Sequence, residues 1–123
     1  MKKVLALFGL LLFLFVSASA QLLTWTPDFP KDNDNIIITL DASKGNQGLF
    51  NYSTTSDVYV HIGLITSAST SATDWKYAKF VWATTNAAAQ ATYLGSNKWS
   101  YTINNPRTFF NSTAGGVPAG ETI

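Results

Sequence analysis

The chain has 123 residues, a formal net charge of +1 and no cysteine. Setting aside residues 1–20 leaves six basic against seven acidic side chains, which excludes an electrostatic footprint for nucleic acid or for anionic lipid. Without cysteine there are no disulfides and no thiolate metal sites, so a secreted domain of this kind must be held by its apolar core alone.

The chain opens on "MKK", followed by an apolar run over 4–16 and then "SASA", with Ala18 and Ala20 at the small-residue positions of a cleavage site. This pattern is that of a secretory signal peptide cleaved after Ala20. The run is 13 residues long, short of the roughly 18 that a membrane span requires. No membrane span is therefore expected after cleavage. Residues 21–123 then form one small domain.

That domain reads as β throughout. "LLTWT" is β-rich and is closed by Pro27 and Pro30. "KDNDN" has turn composition, and "IIITLD" is a β-branched strand over 36–41. "ASKGNQG" is a loop. The alternation over 57–66 is the clearest strand signal, "KYAKFVW" over 76–82 is another, and "KWSYTI" over 98–103 is a third, preceded by the turn signal "GSN". "TTNAAAQAT" is assigned to a loop because its alanines show no amphipathic face. The small polar run 66–74 and the segment 111–121 read as flexible surface loops. "VPAGETI" reads as a turn leading into a new strand, so the chain is expected to be a piece of a longer protein. The expected fold class is all-β: an immunoglobulin-like antiparallel β-sandwich missing its last strand.

Catalytic constellations are weak. His61 is the only histidine. Asp57 lies four residues before it on an extended segment, roughly 13 Å away at about 3.3 Å per residue, too far to orient it. No G-x-S-x-G occurs, and the acidic residues sit mostly in turns or at strand ends. No catalytic residue is expected in this segment. "DNDN" offers oxygen ligands but departs from the calcium-loop pattern at Ile36, and one histidine without cysteine cannot make a zinc site. No metal and no cofactor are expected.

Aromatic placement is more informative. Strand alternation puts Val58, Val60, Ile62 and Leu64 on one face and Tyr59, His61, Gly63 and Ile65 on the other. Tyr59 and His61 would then project together from the wet face, with Gly63 leaving room for a ligand or another chain and Trp75 closing the following loop. Such a group suits a shallow sugar platform, since a flat ring can cover a pyranose while His and Tyr supply polar edges. It equally suits cross-strand partners that shield the sheet. Trp82 and Trp99 are expected in the core; Trp25 is undecided.

"VYVHIG", the later Trp75 and "NKWSYTI" resemble the starch-binding β-sandwich modules of secreted bacterial α-amylases. "LTWTP", "DNIIITLDASKGNQGL" and "VPAGETI" are similar to the N-terminal sandwich that precedes an amylase-type catalytic domain. The resemblance implies α-glucan binding without catalysis, with Tyr59 and His61 as the strand residues and Trp75 as the loop tryptophan that stacks on glucose. The partners it implies are a polysaccharide and a C-terminal catalytic domain. A structural spacer that packs on a neighbouring domain is the alternative.

Overall fold

The computed structural model describes residues 21–123. The expected signal peptide over 1–20 lies outside the described residues.

Four strands form one open antiparallel sheet: β1 (Leu23–Thr26), β2 (Asn35–Asp41), β3 (Thr92–Gly95) and β4 (Lys98–Asn104), in the order β1-β2-β4-β3. The β3–β4 hairpin turns on Ser96 and Asn97, both with positive φ (49° and 60°). Two residues of that sign match the right-handed twist of the strands they join. Asn97 serves a second purpose there: its carbonyl accepts from Ala42 N at 2.9 Å, and its Oδ1 from Asn51 N at 2.7 Å.

Register sorts the two faces. Ile36, Ile38 and Leu40 stand opposite Ile103, Tyr101 and Trp99, and residues directly opposite share a face. On the other face Thr24, Thr39, Ser100 and Thr92 lie in one row across all four strands. Small hydroxyl residues with good β propensity suit a solvated sheet face.

The inner face carries two clusters. One holds Ala42, Val58, Ala91 and Trp99; the other holds Ile103, Phe110 and Val117, with Ile36, Ile38, Ile62 and Leu64 packed against it. Trp99 meets its expectation of core packing at 2 % exposure, and its indole N–H donates to the Thr55 carbonyl at 2.9 Å. One helical turn, α1 (Pro106–Phe109), is capped by Asn105, whose side chain accepts from Thr108 N. Residues 87–89 and 112–114 form single 3₁₀ turns inside segments read as loops.

Two expected strands differ from observation. The stretch 57–66 is extended but paired only by isolated bridges, Tyr59 with Gln90 and Leu64 with Lys76. Its alternation nevertheless holds: Val58 and Val60 join the first cluster, Ile62 and Leu64 the second. The stretch 76–82 pairs at Lys76 and again where Lys79 N donates to the Ile62 carbonyl at 3.0 Å, but Tyr77 between them takes a positive φ of 53° that interrupts the ladder, and the backbone turns at Ala83 with φ of 59°.

The tail folds back onto the body. Val117 N donates to the Arg107 carbonyl at 2.8 Å. Arg107 Nε donates to Asp32 at 2.7 Å, and its two terminal nitrogens each donate at 3.0 Å, to the Pro118 and Glu121 carbonyls. Glu121 accepts from Tyr77 Oη at 2.6 Å and from Thr66 Oγ1 at 2.8 Å. These bonds hold the Glu121 carboxyl below the usual carboxylate range and push the Tyr77 hydroxyl above its ordinary value.

Candidate functional site

The site grows from the bridge between Leu64 and Lys76. Leu64 N donates to the Lys76 carbonyl at 2.9 Å and Lys76 N to the Leu64 carbonyl at 2.7 Å, while Lys79 N reaches the Ile62 carbonyl at 3.0 Å. This pairing brings Trp75 back over Gly63. A Cβ built on Gly63 would stand 3.1 Å from Trp75 Cε3 and 3.3 Å from Trp75 Cβ. The space beside Gly63, expected to admit a ligand or another chain, is thus filled by Trp75 itself.

The indole of Trp75 lies against the His61 ring, with centroids 5.7 Å apart and planes 28° from parallel. Trp82 meets the same imidazole edge-on, at 5.0 Å and 72°. Offset and T-shaped pairs of this kind are the favoured arrangements for rings carrying a quadrupole. His61 is therefore clasped between two tryptophans. Its Nδ1 is buried with no hydrogen-bond partner among the described residues. A buried polar nitrogen left unpaired is costly, and neither indole N–H of the two neighbouring tryptophans bonds to it.

Trp82 was expected in the core and is instead 73 % exposed, as is Val81 beside it. Alternation puts Trp82 on the same side as Phe80, but the backbone turns at 82–83, where Ala83 takes a positive φ of 59°, and Trp82 leaves that side. Phe80, two residues earlier, is the side chain that turns inward. The Val81–Trp82 corner is tied by Thr84 Oγ1, which donates to the Val81 carbonyl at 2.7 Å.

Tyr59, His61 and Trp82 line one wall-to-wall cleft with Asp57, Val81 and Thr84, of about 390 Å³. That size lies in the range of small-molecule sites, roughly 300–1,000 Å³. Trp75, 49 % exposed, stacks on His61 and does not line the cleft. The structure thus brings His61 together with Trp75, sets Tyr59 beside His61 along the cleft, and adds Trp82. The signal that could have found Trp82 is its sequence context: an aromatic beside Val81 and ahead of "ATTN", a polar stretch unable to bury it.

The loop 66–74 is internally bonded. Asp74 Oδ2 accepts from Thr70 N at 2.8 Å and Thr70 Oγ1 at 3.0 Å, and pairs with Lys76 Nζ at 3.0 Å. Those contacts hold the Asp74 carboxyl below the usual range, the Thr70 backbone bond being the largest cause. The surface loop expected here is thus closed on itself by Asp74, next to Trp75.

The "DNDN" turn is structural. Asp34 Oδ2 accepts from Lys31 N at 2.8 Å, and Asp32 carries the Arg107 contact. Among the described residues no group of three metal-ligating side chains occurs. No protein-family model, curated protein or solved structure matches this chain.

Proposed function

We propose that residues 21–123 form a non-catalytic carbohydrate-binding domain of a secreted protein, with an α-glucan such as starch as ligand. The finer fold reading goes with it: an immunoglobulin-like β-sandwich lacking its last strand, in which 57–65 begins the second layer. The likeness of "LTWTP", "DNIIITLDASKGNQGL" and "VPAGETI" to the N-terminal sandwich of such proteins supports a position ahead of an α-amylase-type catalytic domain, and "MKK", the apolar run 4–16 and "SASA" support a signal peptide cleaved after Ala20.

The aromatic cluster around His61 is the observation that supports sugar binding. Trp82 and Trp75 keep 73 % and 49 % of their surface in solvent, although burying a tryptophan is favourable. Their rings are nevertheless fixed, by the His61 contacts and by the Gly63 seat. A rigid exposed ring can take the apolar face of a pyranose without losing side-chain freedom on binding. Tyr59 lines the same cleft. The ligand-binding residues in this reading are Tyr59, His61, Trp75 and Trp82.

Affinity electrophoresis in starch gels tests it. The wild-type chain is expected to migrate more slowly than a control protein, and Trp82→Ala and His61→Ala to regain free mobility. Wild-type mobility equal to that in a starch-free gel rejects the reading.

A structural spacer remains the second reading, because Phe29 (91 % exposed) and Val81 are large apolar side chains open to solvent. In that case the Val81–Trp82 corner packs on a neighbouring domain. Starch then leaves the wild type unretarded.

A further inference from the structure

In an extended chain the N–H and C=O of one residue point to the same edge, and those of the next residue to the opposite edge. Along 58–64 the even residues are all engaged. Val58 O accepts from Ala91 N, Val60 N donates to Ala89 O, Ile62 O accepts from Lys79 N, and Leu64 uses both groups with Lys76. Among the described residues, Tyr59, His61, Gly63 and Ile65 of the odd series make no backbone bond with either group. Within residues 21–123 one complete edge is therefore open.

A groove runs beside that edge. Two clefts that share Ile38 and Ile62 join end to end between the 58–64 segment and the inner face of β1 and β2. Leu23, Leu40 and Val60 line one, and Ile36, Ile103 and Phe110 the other. Gly63 has no side chain, so its backbone forms part of this wall.

The tail already approaches the same edge. Ser67, next in the odd series, donates its N–H to the Thr122 carbonyl at 2.9 Å, and Thr122 N donates to Ser67 Oγ at 3.1 Å. Ile123 then enters the groove beside Ile62, Gly63 and Leu64. From Thr122 to Ile123 the tail thus moves towards lower numbers on the opposing segment, which is the antiparallel sense.

We infer that the open edge of 59–65 accepts one more β-strand, laid antiparallel in line with Thr122 and Ile123. The occupant is an extended segment of alternating apolar and polar residues. Its backbone pairs with Tyr59, His61, Gly63 and Ile65. Its apolar side chains follow Ile123 into the groove against β1 and β2, and its polar ones share the outer face with Tyr59 and His61. Spanning 59–65 takes about seven residues at roughly 3.3 Å each. A second copy of this chain fits less well. Two open edges could pair with each other, but Val60, Ile62 and Leu64 of each copy already face its own sheet, so neither groove would be filled. The inference rests on the sandwich reading of the fold and not on sugar binding.

The test is amide hydrogen exchange, followed by NMR on the whole chain, with a synthetic peptide of about ten residues alternating Ile and Lys. Added peptide is expected to slow exchange at Tyr59, His61, Gly63 and Ile65 by at least about tenfold. The same peptide methylated on the backbone nitrogens of its pairing edge is expected to have no effect. Saturable binding that instead protects the β1 or β3 edge overturns the edge assignment while leaving the sandwich reading standing. Absence of any binding overturns both. Protection that rises with protein concentration without peptide shows a second copy as the occupant and overturns the proposal. Starch mobility is read in its own gel, so its outcome is independent.

Discussion

Gly63→Ala isolates the contact that seats Trp75. The new methyl would lie 3.1 Å from Trp75 Cε3, 3.3 Å from Trp75 Cβ and 3.4 Å from Ala78 Cα. The first two are tighter than ordinary carbon contacts of about 3.5–4.0 Å, so the indole must move by a few tenths of an ångström. Overpacking of this kind costs about 1–3 kcal/mol. Replacing glycine also reduces the freedom of the unfolded chain, which returns about 0.4–1 kcal/mol. The net expectation is a loss of about 1 kcal/mol, or about 4–8 °C in the melting midpoint of a domain this size. Urea unfolding followed by far-ultraviolet circular dichroism measures it without relying on the tryptophans as probes. The decisive arm repeats the substitution in Trp75→Ala, where Cε3 is gone and only contacts at 3.3 Å and 3.4 Å remain. There Gly63→Ala is expected to be neutral or stabilising, giving a coupling of about 1 kcal/mol between the two positions. Equal cost in both backgrounds, or a stabilised single variant, would refute the account of why glycine stands here.

Trp99→Ala should cost about 3–5 kcal/mol, enough to unfold much of the population, because the ring is 2 % exposed and its N–H is bonded to Thr55; Trp82→Ala should change stability by no more than about 0.5 kcal/mol. Comparing the two urea midpoints checks this directly. Acid should weaken the fold through carboxylates that titrate lower when folded. Lys98, with help from Ser43, pulls the Asp41 carboxyl down to about 2 from its ordinary 3.8, and Tyr77 and Thr66 lower Glu121 below its ordinary 4.5. The folded state then binds fewer protons than the unfolded one, so this stability is complete above the unfolded values and is lost as pH falls through the folded ones. Asp41→Asn and Glu121→Gln are each expected to flatten the fall of the urea midpoint as pH drops from about 5 towards 2; an unchanged slope in both would contradict the assignment.

Three of the four strands were legible because their signals are local. The segments at 23–26, 35–41 and 98–104 carry their own alternation or β-branched runs and are bounded by proline, glycine and asparagine turns. β3 was missed because Thr92–Gly95 is only four residues long and becomes a strand through its hairpin with β4. The inward set Val58, Val60, Ile62 and Leu64 was read correctly from period two alone. That period could not show that one edge of the segment is bonded in two short patches and the other is open.

Sequence by itself determined a β-rich small domain with material for an apolar core, the two faces of the 57–66 stretch, and an aromatic group centred on His61. Tertiary structure decided what those aromatics touch. Trp75 reaches His61 because Leu64 pairs with Lys76 and Gly63 gives the indole a seat. Trp82 leaves the core because the backbone turn at Ala83 redirects the chain. Such contacts depend on where distant backbone groups find partners, and a side-chain period along one segment carries no record of that.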